Sequence, residues 1–145
     1  MPVTKETQEA AVQWIGGLAA EGGTNIDGAL AEALKLRSTD RLPIVVFLTD
    51  GEPTVGETRP DVLEKNVAAS NPSKSRIFTF GVGTDLNVRL LDLIAEKSGG
   101  TRDYVGAKEN IEIVTSRFFR KVDTPVLTDV TVDLGGGVHD VYPTR

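Results

Sequence analysis

The chain contains no cysteine, and this absence excludes several kinds of chemistry. Without thiols it can form no disulfide, no thiolate metal site and no cysteine nucleophile. Histidine is almost absent as well, since His139 is the only one. A site built from several histidines is therefore excluded within one chain, and we interpret His139 as an exposed residue of a hairpin.

Long apolar runs and clustered positive charge are also missing. The sequence contains no run of about 18 apolar residues, the length needed to cross a membrane. Met1 is not followed by a signal-peptide pattern. The 16 Lys and Arg are outnumbered by 21 Asp and Glu, which gives a net charge of −5. Nucleic-acid binding usually requires a basic patch. We therefore expect neither membrane insertion nor a nucleic-acid partner.

The 145 residues suffice for one domain with a single core, and 39% of them are hydrophobic. Helix-period and strand-period segments alternate along the chain. Helices are predicted over Thr4–Ala20, from Ile26 to about Arg37, from Pro60 to about Ala69, from Val88 to the Gly99-Gly100 stop, and over Glu109–Val122. Strands are predicted at Ile44–Leu48, Arg76–Gly83 and Arg102–Val105. This alternation predicts an α/β fold with a doubly wound, mostly parallel sheet, in which Ile44–Leu48 is buried on both faces.

The predicted strand Ile44–Leu48 runs directly into Thr49-Asp50-Gly51. Ligands of open parallel sheets bind beyond the carboxyl ends of the strands, where Asp50 lies. The alternative is that the Asp50 carboxylate accepts hydrogen bonds from the turn that follows. Its position alone supports the two interpretations about equally.

A second stretch, "GGTNIDGAL", places Thr24 and Asn25 at the start of a helix, where either residue could act as the cap. Taken together, the two stretches resemble the von Willebrand factor type A domain. In that family a Gly-Thr-Asn-type loop and a strand ending in Thr-Asp-Gly supply two parts of the metal ion-dependent adhesion site. The resemblance extends from about Ala10 to Val122 and includes "FTFGVG" and "LLDLIAEKSGG". The sequel "VDTPVLTDVTVD" is similar to bacterial relatives of the inter-alpha-trypsin inhibitor heavy chains, in which a β-rich segment follows.

This resemblance implies a Rossmann-like fold and a metal site in which Thr24 offers a hydroxyl and Asp50 a carboxylate. Such oxygen ligands suit Mg²⁺, or in its place Mn²⁺ or Ca²⁺. In the intact family site the ion keeps one position open for an acidic side chain from a partner protein. The resemblance thus implies a non-enzymatic interaction or adhesion module, and it allows the cell surface or the periplasm.

One part of the family's site has no counterpart here. The Asp-x-Ser-x-Ser motif is absent, and its nearest match, Asn71–Ser75, falls between a helix and a strand, so we interpret it as a loop. The family's first strand, first helix and next two strands have no counterpart before Thr4. Residues 1–124 are accordingly expected to form a partial domain, and residues 125–145 a β-hairpin-like extension. With two of the five ligand positions remaining, we expect weak metal binding or none.

The missing first strand would pair beside Ile44–Leu48 in the family. Without it, a long apolar edge is left open, and such edges recruit other strands. We therefore expect a homodimer joined at Ile44–Leu48, with a continuous sheet across a two-fold axis.

Two other functions are compatible with these residues. One is a metal-independent scaffold for assembly, and the other is a metal-assisted hydrolase in which Asp50 acts with Glu52 as base. Glu57 and Asp61 are also acids near Asp50, but we interpret them as an exposed loop acid and a first-turn helix charge. "GVGTDL" lacks the third glycine of a dinucleotide loop and the Gly-Lys-Ser/Thr of a P-loop, so nucleotide binding is not expected. Its Asp85 and the nearby Asn87 are interpreted as helix caps.

Overall fold

Five helices and three strands form the part of the chain described by a computed structural model, residues 2–19, 21–36, 43–106 and 108–123. They follow the order α1 (Lys5–Gly16), α2 (Ile26–Lys35), β1 (Ile44–Thr49), α3 (Pro60–Ser70), β2 (Arg76–Val82), α4 (Val88–Ser98), β3 (Arg102–Val105) and α5 (Ile111–Asp123). The chain divides into two units, Met1–Glu109 and Asn110–Arg145, and α5 is the described element of the second. The predicted extension, residues 125–145, lies outside the described residues.

The three strands form one parallel sheet in the order β1-β2-β3. Ile44 pairs with Arg76 at the start of β1 and Thr49 with Gly81 at its end, and β2 pairs with β3 from Thr79 onward. All carboxyl ends therefore lie along the same edge of the sheet. The predicted α/β fold with a parallel sheet is confirmed.

The core of the first unit lies between the sheet and the helices α2, α3 and α4. Each helix contributes an apolar stripe, and β2 contributes Ile77. The buried side chains of this cluster are Ile26, Leu30, Leu34, Leu63, Val67, Ile77, Leu90 and Ile94. From β1, Val45 and Phe47 pack against it. Burial of these stripes holds α2 against the sheet, and with it the loop that carries Thr24.

The two faces of β1 differ in burial, and the prediction that both are covered is wrong. Ile44, Val46 and Leu48 are 42%, 44% and 50% exposed, whereas Val45 and Phe47 are half-buried. Within the first unit, the helix that contacts β1 packs on the face of Val45 and Phe47. The most buried strand is β2, which is flanked on both sides by other strands.

Helix α1 has a well-formed start but an exposed surface. The Thr4 side chain accepts a hydrogen bond from the Thr7 N–H, and the Thr7 hydroxyl accepts one from the Thr4 N–H, which forms a capping box. The predicted apolar stripe, which includes Val12 and Ile15, is exposed, and α1 buries none of its residues. Local capping thus defines α1, while its apolar side chains remain in contact with solvent.

A tyrosine attaches the edge strand β3 to α4. The Tyr104 hydroxyl lies 2.6 Å from Asp92 Oδ1, and Arg102 Nε donates to the same oxygen at 3.0 Å. Burial of the phenol and its hydrogen bond to the Asp92 carboxylate raise the pKa of Tyr104 far above its usual value. A Cβ on Gly81 would lie 2.8 Å from Tyr104 Cδ1, so the glycine makes room for the ring.

Candidate functional site

An open depression lies where the carboxyl ends of β1 and β2 meet the loop before α2. Its volume is about 580 Å³. Three loops supply its walls, and most of the lining residues are polar: Thr24, Gly51, Glu52, Thr54, Thr84, Asp85 and Leu86. This is the edge of the sheet at which the sequence predicts a ligand site.

Asp50 is not among the residues that line this depression, but it directly precedes Gly51, which is, and its side chain is exposed. The turn after β1 is closed by Thr49, whose hydroxyl donates to the Gly51 carbonyl at 3.1 Å and accepts from the Gly51 N–H at 3.3 Å. Within the described part of the chain, no group donates a hydrogen bond to the Asp50 carboxylate. Thr49 therefore closes the turn, and the Asp50 carboxylate remains available to bind a ligand.

Thr24 lies beside the same turn. The cap of α2 is Asn25, whose Oδ1 accepts from the Gly28 N–H at 2.9 Å, so the Thr24 side chain is not needed there. A Cβ on Gly51 would lie 3.8 Å from Thr24 Oγ1. The fold thus brings the Thr24 hydroxyl to the residue next to Asp50, although the two are far apart in the sequence.

The chemistry of these two groups fits part of a metal site. A hydroxyl and a carboxylate are hard oxygen donors of the kind that Mg²⁺ binds. Among the residues that the structure describes, no group of three or more His, Cys, Asp or Glu side chains could hold an ion. Thr24 and Asp50 can therefore supply two ligands, but the remainder of a coordination sphere must come from water or from other residues.

Glu57 is an unsuitable acid or base. Its carboxylate accepts hydrogen bonds from the Arg59 side chain, at 3.0 Å from both Nε and Nη2, and from the Arg59 N–H at 2.9 Å. These bonds lower the pKa of Glu57 to about 2, so the group stays ionised. As predicted, Asp61 lies in the first turn of α3, where its negative charge interacts favourably with the helix dipole.

In the loop before α4, one of the two predicted helix caps is found and the other is not. Asn87 caps α4, as predicted, and its Oδ1 accepts from the Leu90 N–H at 3.0 Å. Asp85 is not the cap of α4 and instead lines the depression. Sequence reasoning also missed Thr54 and Thr84, which line the depression as well. The only signal for Thr54 is its place in the loop that follows Thr-Asp-Gly.

The Asn71–Ser75 segment is a loop between α3 and β2, as predicted. The Asn71 side chain accepts from the Ser75 N–H at 2.7 Å and donates to the Ser75 carbonyl at 2.8 Å. The loop leads into the start of β2, which pairs with the start of β1. It therefore lies at the amino ends of the strands, opposite to the carboxyl ends where Asp50 lies, and does not contribute to the depression.

In the described ranges, every helix is too short or too polar to cross a membrane.

Comparison with known proteins agrees with this architecture. The family model for the von Willebrand factor type A domain matches residues 1–104. Inter-alpha-trypsin inhibitor heavy chain H4 from Homo sapiens is 31% identical over 92% of this chain and 15% of its own length. Heavy chain H3 from Bos taurus is 28% identical over 92% of this chain and 16% of its own length. Heavy chain H2 from Mus musculus is 27% identical over 88% of this chain and 14% of its own length. The chain thus spans about one seventh of the length of these relatives.

Proposed function

Because the chain belongs to the von Willebrand factor type A family, we propose that it is a non-enzymatic protein-binding module that uses the edge of the sheet around Thr24 and Asp50. Domains of this family generally mediate protein–protein interaction. One observation carries the assignment to this edge: the Asp50 carboxylate is free of hydrogen bonds within the described residues, and the Thr24 hydroxyl lies beside Gly51, the residue that follows Asp50. A partner can therefore reach both groups without breaking an internal contact.

The proposal includes a divalent ion, Mg²⁺, Mn²⁺ or Ca²⁺, held in part by Thr24 and Asp50. When bound, the ion supplies a positive charge to which an acidic side chain of the partner protein can bind. Two side-chain ligands leave most of the coordination sphere to water, and Mg²⁺ releases its waters reluctantly. We therefore expect this chain by itself to bind metal only weakly, with a dissociation constant that is roughly millimolar.

The first experiment is an NMR titration of the chain with Mn²⁺, which binds to oxygen ligands and broadens the signals of nearby nuclei. We expect broadening in the millimolar range that is centred on the amides of Thr24 and Gly51. Asp50→Asn should remove it, because the substitution takes away the negative charge that attracts the ion while keeping nearly the same side-chain size. Glu57→Gln is the matched control, since the Glu57 carboxylate is occupied by Arg59.

Each result of the titration has a clear meaning. Broadening that persists in Asp50→Asn would place the ion elsewhere and contradict the proposal. No broadening in the parent chain would favour the metal-independent scaffold, and micromolar affinity would contradict the expectation of an incomplete site.

The β1 edge supports a further part of the proposal, a homodimer. Within the described residues β1 pairs only with β2, and its six residues, Ile44–Thr49, include no charged side chain. The other edge strand, β3, is shorter and begins with Arg102 and Asp103, which protect it from pairing. Two copies joined at β1 would form a continuous sheet of about six strands across a two-fold axis.

Sedimentation equilibrium over a wide concentration range tests this dimer. We expect dimers in the parent chain and monomers in Val46→Lys, because lysine on an edge strand opposes pairing. Val88→Lys is the matched control, since Val88 is similarly exposed but lies on α4. A parent chain that stays monomeric at high concentration, or equal effects of the two substitutions, would contradict the dimer.

A further inference from the structure

Two of the loops that line the depression are joined by hydrogen bonds. The Thr24 N–H donates to Thr54 Oγ1 at 2.8 Å, and the Thr54 N–H donates to the Thr24 carbonyl at 2.9 Å. The Val55 N–H donates to the same carbonyl at 3.2 Å. Both backbone groups of Thr24 are therefore bonded to the loop that follows β1, and one of these bonds depends on a side chain.

Glycines allow the loops to approach this closely. A Cβ on Gly23 would lie 2.7 Å from Thr54 Oγ1 and 2.5 Å from Val55 Cγ2. Gly56 has a φ of +75°, and a Cβ there would lie 2.6 Å from Asn25 Oδ1. Side chains at either position would separate the loops, so the contact between them depends on the local sequence of both.

The Thr24 hydroxyl has no comparable support of its own. Within the described residues no hydrogen bond is made by Thr24 Oγ1, while its backbone is held by Thr54 and Val55. The position of this hydroxyl beside Gly51 thus depends on how firmly the Thr24 backbone is held. A ligand side chain contributes more to binding when it is already held in the bound geometry.

We propose that Thr54 is a positioning residue that holds Thr24 beside Gly51, the residue that follows Asp50. This inference rests on the proposed function, because it assigns Thr54 a role in the same site. Thr54 acts through Thr24: its hydroxyl accepts the Thr24 N–H and so keeps the Thr24 hydroxyl facing the end of β1. The bond also connects the two loops that carry the predicted ligands.

The test compares Thr54→Val, which removes the hydroxyl at nearly constant shape, with Thr54→Ser, which keeps it. Hydrogen exchange of the Thr24 amide should rise on the order of fivefold in Thr54→Val and stay near the parent value in Thr54→Ser. Thr58→Val, at another threonine of the same loop, is the matched control and should leave the Thr24 amide unchanged. Thermal unfolding of all variants shows whether any of them is destabilised globally.

A second measurement asks whether the anchoring serves the metal. In the Mn²⁺ titration, Thr54→Val and Thr24→Val should each weaken the apparent affinity on the order of fivefold. The double variant should lose no more than Thr24→Val alone, because Thr54 acts only through Thr24. A simple structural loss would instead make the two effects add.

The outcomes separate the inference from the proposed function. Unchanged Thr24 exchange in Thr54→Val, or additive losses of Mn²⁺ affinity, would overturn the positioning role while the metal site remains. If the parent chain shows no Mn²⁺ effect, the proposed site is wrong. In that case the role of Thr54 toward the metal is overturned with it, and exchange alone reports whether the loops are anchored.

Discussion

Gly100→Ala is expected to lower the free energy of unfolding by about 3 kcal/mol, at the upper end of the range for overpacking. A Cβ at this position would lie 2.0 Å from the carbonyl oxygen of Ile77 and 2.6 Å from its carbonyl carbon. Both are backbone atoms of the central strand, so no side chain can move aside. The Ser98 hydroxyl, which accepts from the Ile77 N–H at 3.0 Å, connects the end of α4 to the same residue.

Urea unfolding measures this effect, and Gly16→Ala provides the control. Gly16 lies at the last position of α1, and nothing lies within 4 Å of a Cβ placed there. This substitution should stabilise the chain slightly, by about 0.5 kcal/mol, because alanine favours a helix more than glycine does. Similar small effects of the two substitutions would contradict the close approach of Gly100 to β2.

Ile26→Ala is expected to destabilise the first unit by about 2–5 kcal/mol. Ile26 is 1% exposed and belongs to the core cluster between α2, α3, α4 and the sheet. Ile26→Val removes one methylene and should cost about 0.5–1.5 kcal/mol. Because Ile26 follows Asn25 directly, the cavity left by alanine should also loosen the loop that holds Thr24.

Thermal and urea unfolding check this series, with Val12→Ala as the control on α1. Val12 is 69% exposed, and its truncation should change the free energy of unfolding by less than about 0.5 kcal/mol. Hydrogen exchange of the Thr24 amide should rise in Ile26→Ala and not in Val12→Ala. Equal effects of Ile26→Ala and Val12→Ala would mean that α2 does not anchor the core.

The sequence predicted the elements of this fold well because their signals are local. Pro60 begins α3, and Gly99, with a φ of +72°, ends α4 in the left-handed conformation. The apolar run of β1 and the pattern of β2 predicted two strands of a parallel sheet. These features depend on residues a few positions apart, so they can be recognised without knowledge of the tertiary contacts.

Burial was predicted less well because it depends on which other elements are present. An apolar run such as Ile44–Leu48 is typical of a strand covered on both faces, yet three of its side chains are at least 42% exposed. The apolar stripe of α1 suggests a packed helix, yet α1 buries none of its residues. Periodicity identifies the side chains that could be buried, but only a neighbouring element buries them.

In the candidate site, too, some features could be predicted from the local sequence and others could not. By itself, the sequence determined that Asp50 follows a parallel strand and that Thr24 precedes a helix, since each placement depends on one local segment. The structure was needed to identify Thr49 as the residue that closes the turn and Asn25 as the cap of α2, and to show that Thr24 is hydrogen-bonded to Thr54 and lies beside Gly51. A turn or helix start offers several side chains able to accept the same hydrogen bonds. The local sequence does not distinguish among them, whereas the contact between Thr24 and Thr54 requires the chain fold, because it joins two loops 30 residues apart in the sequence.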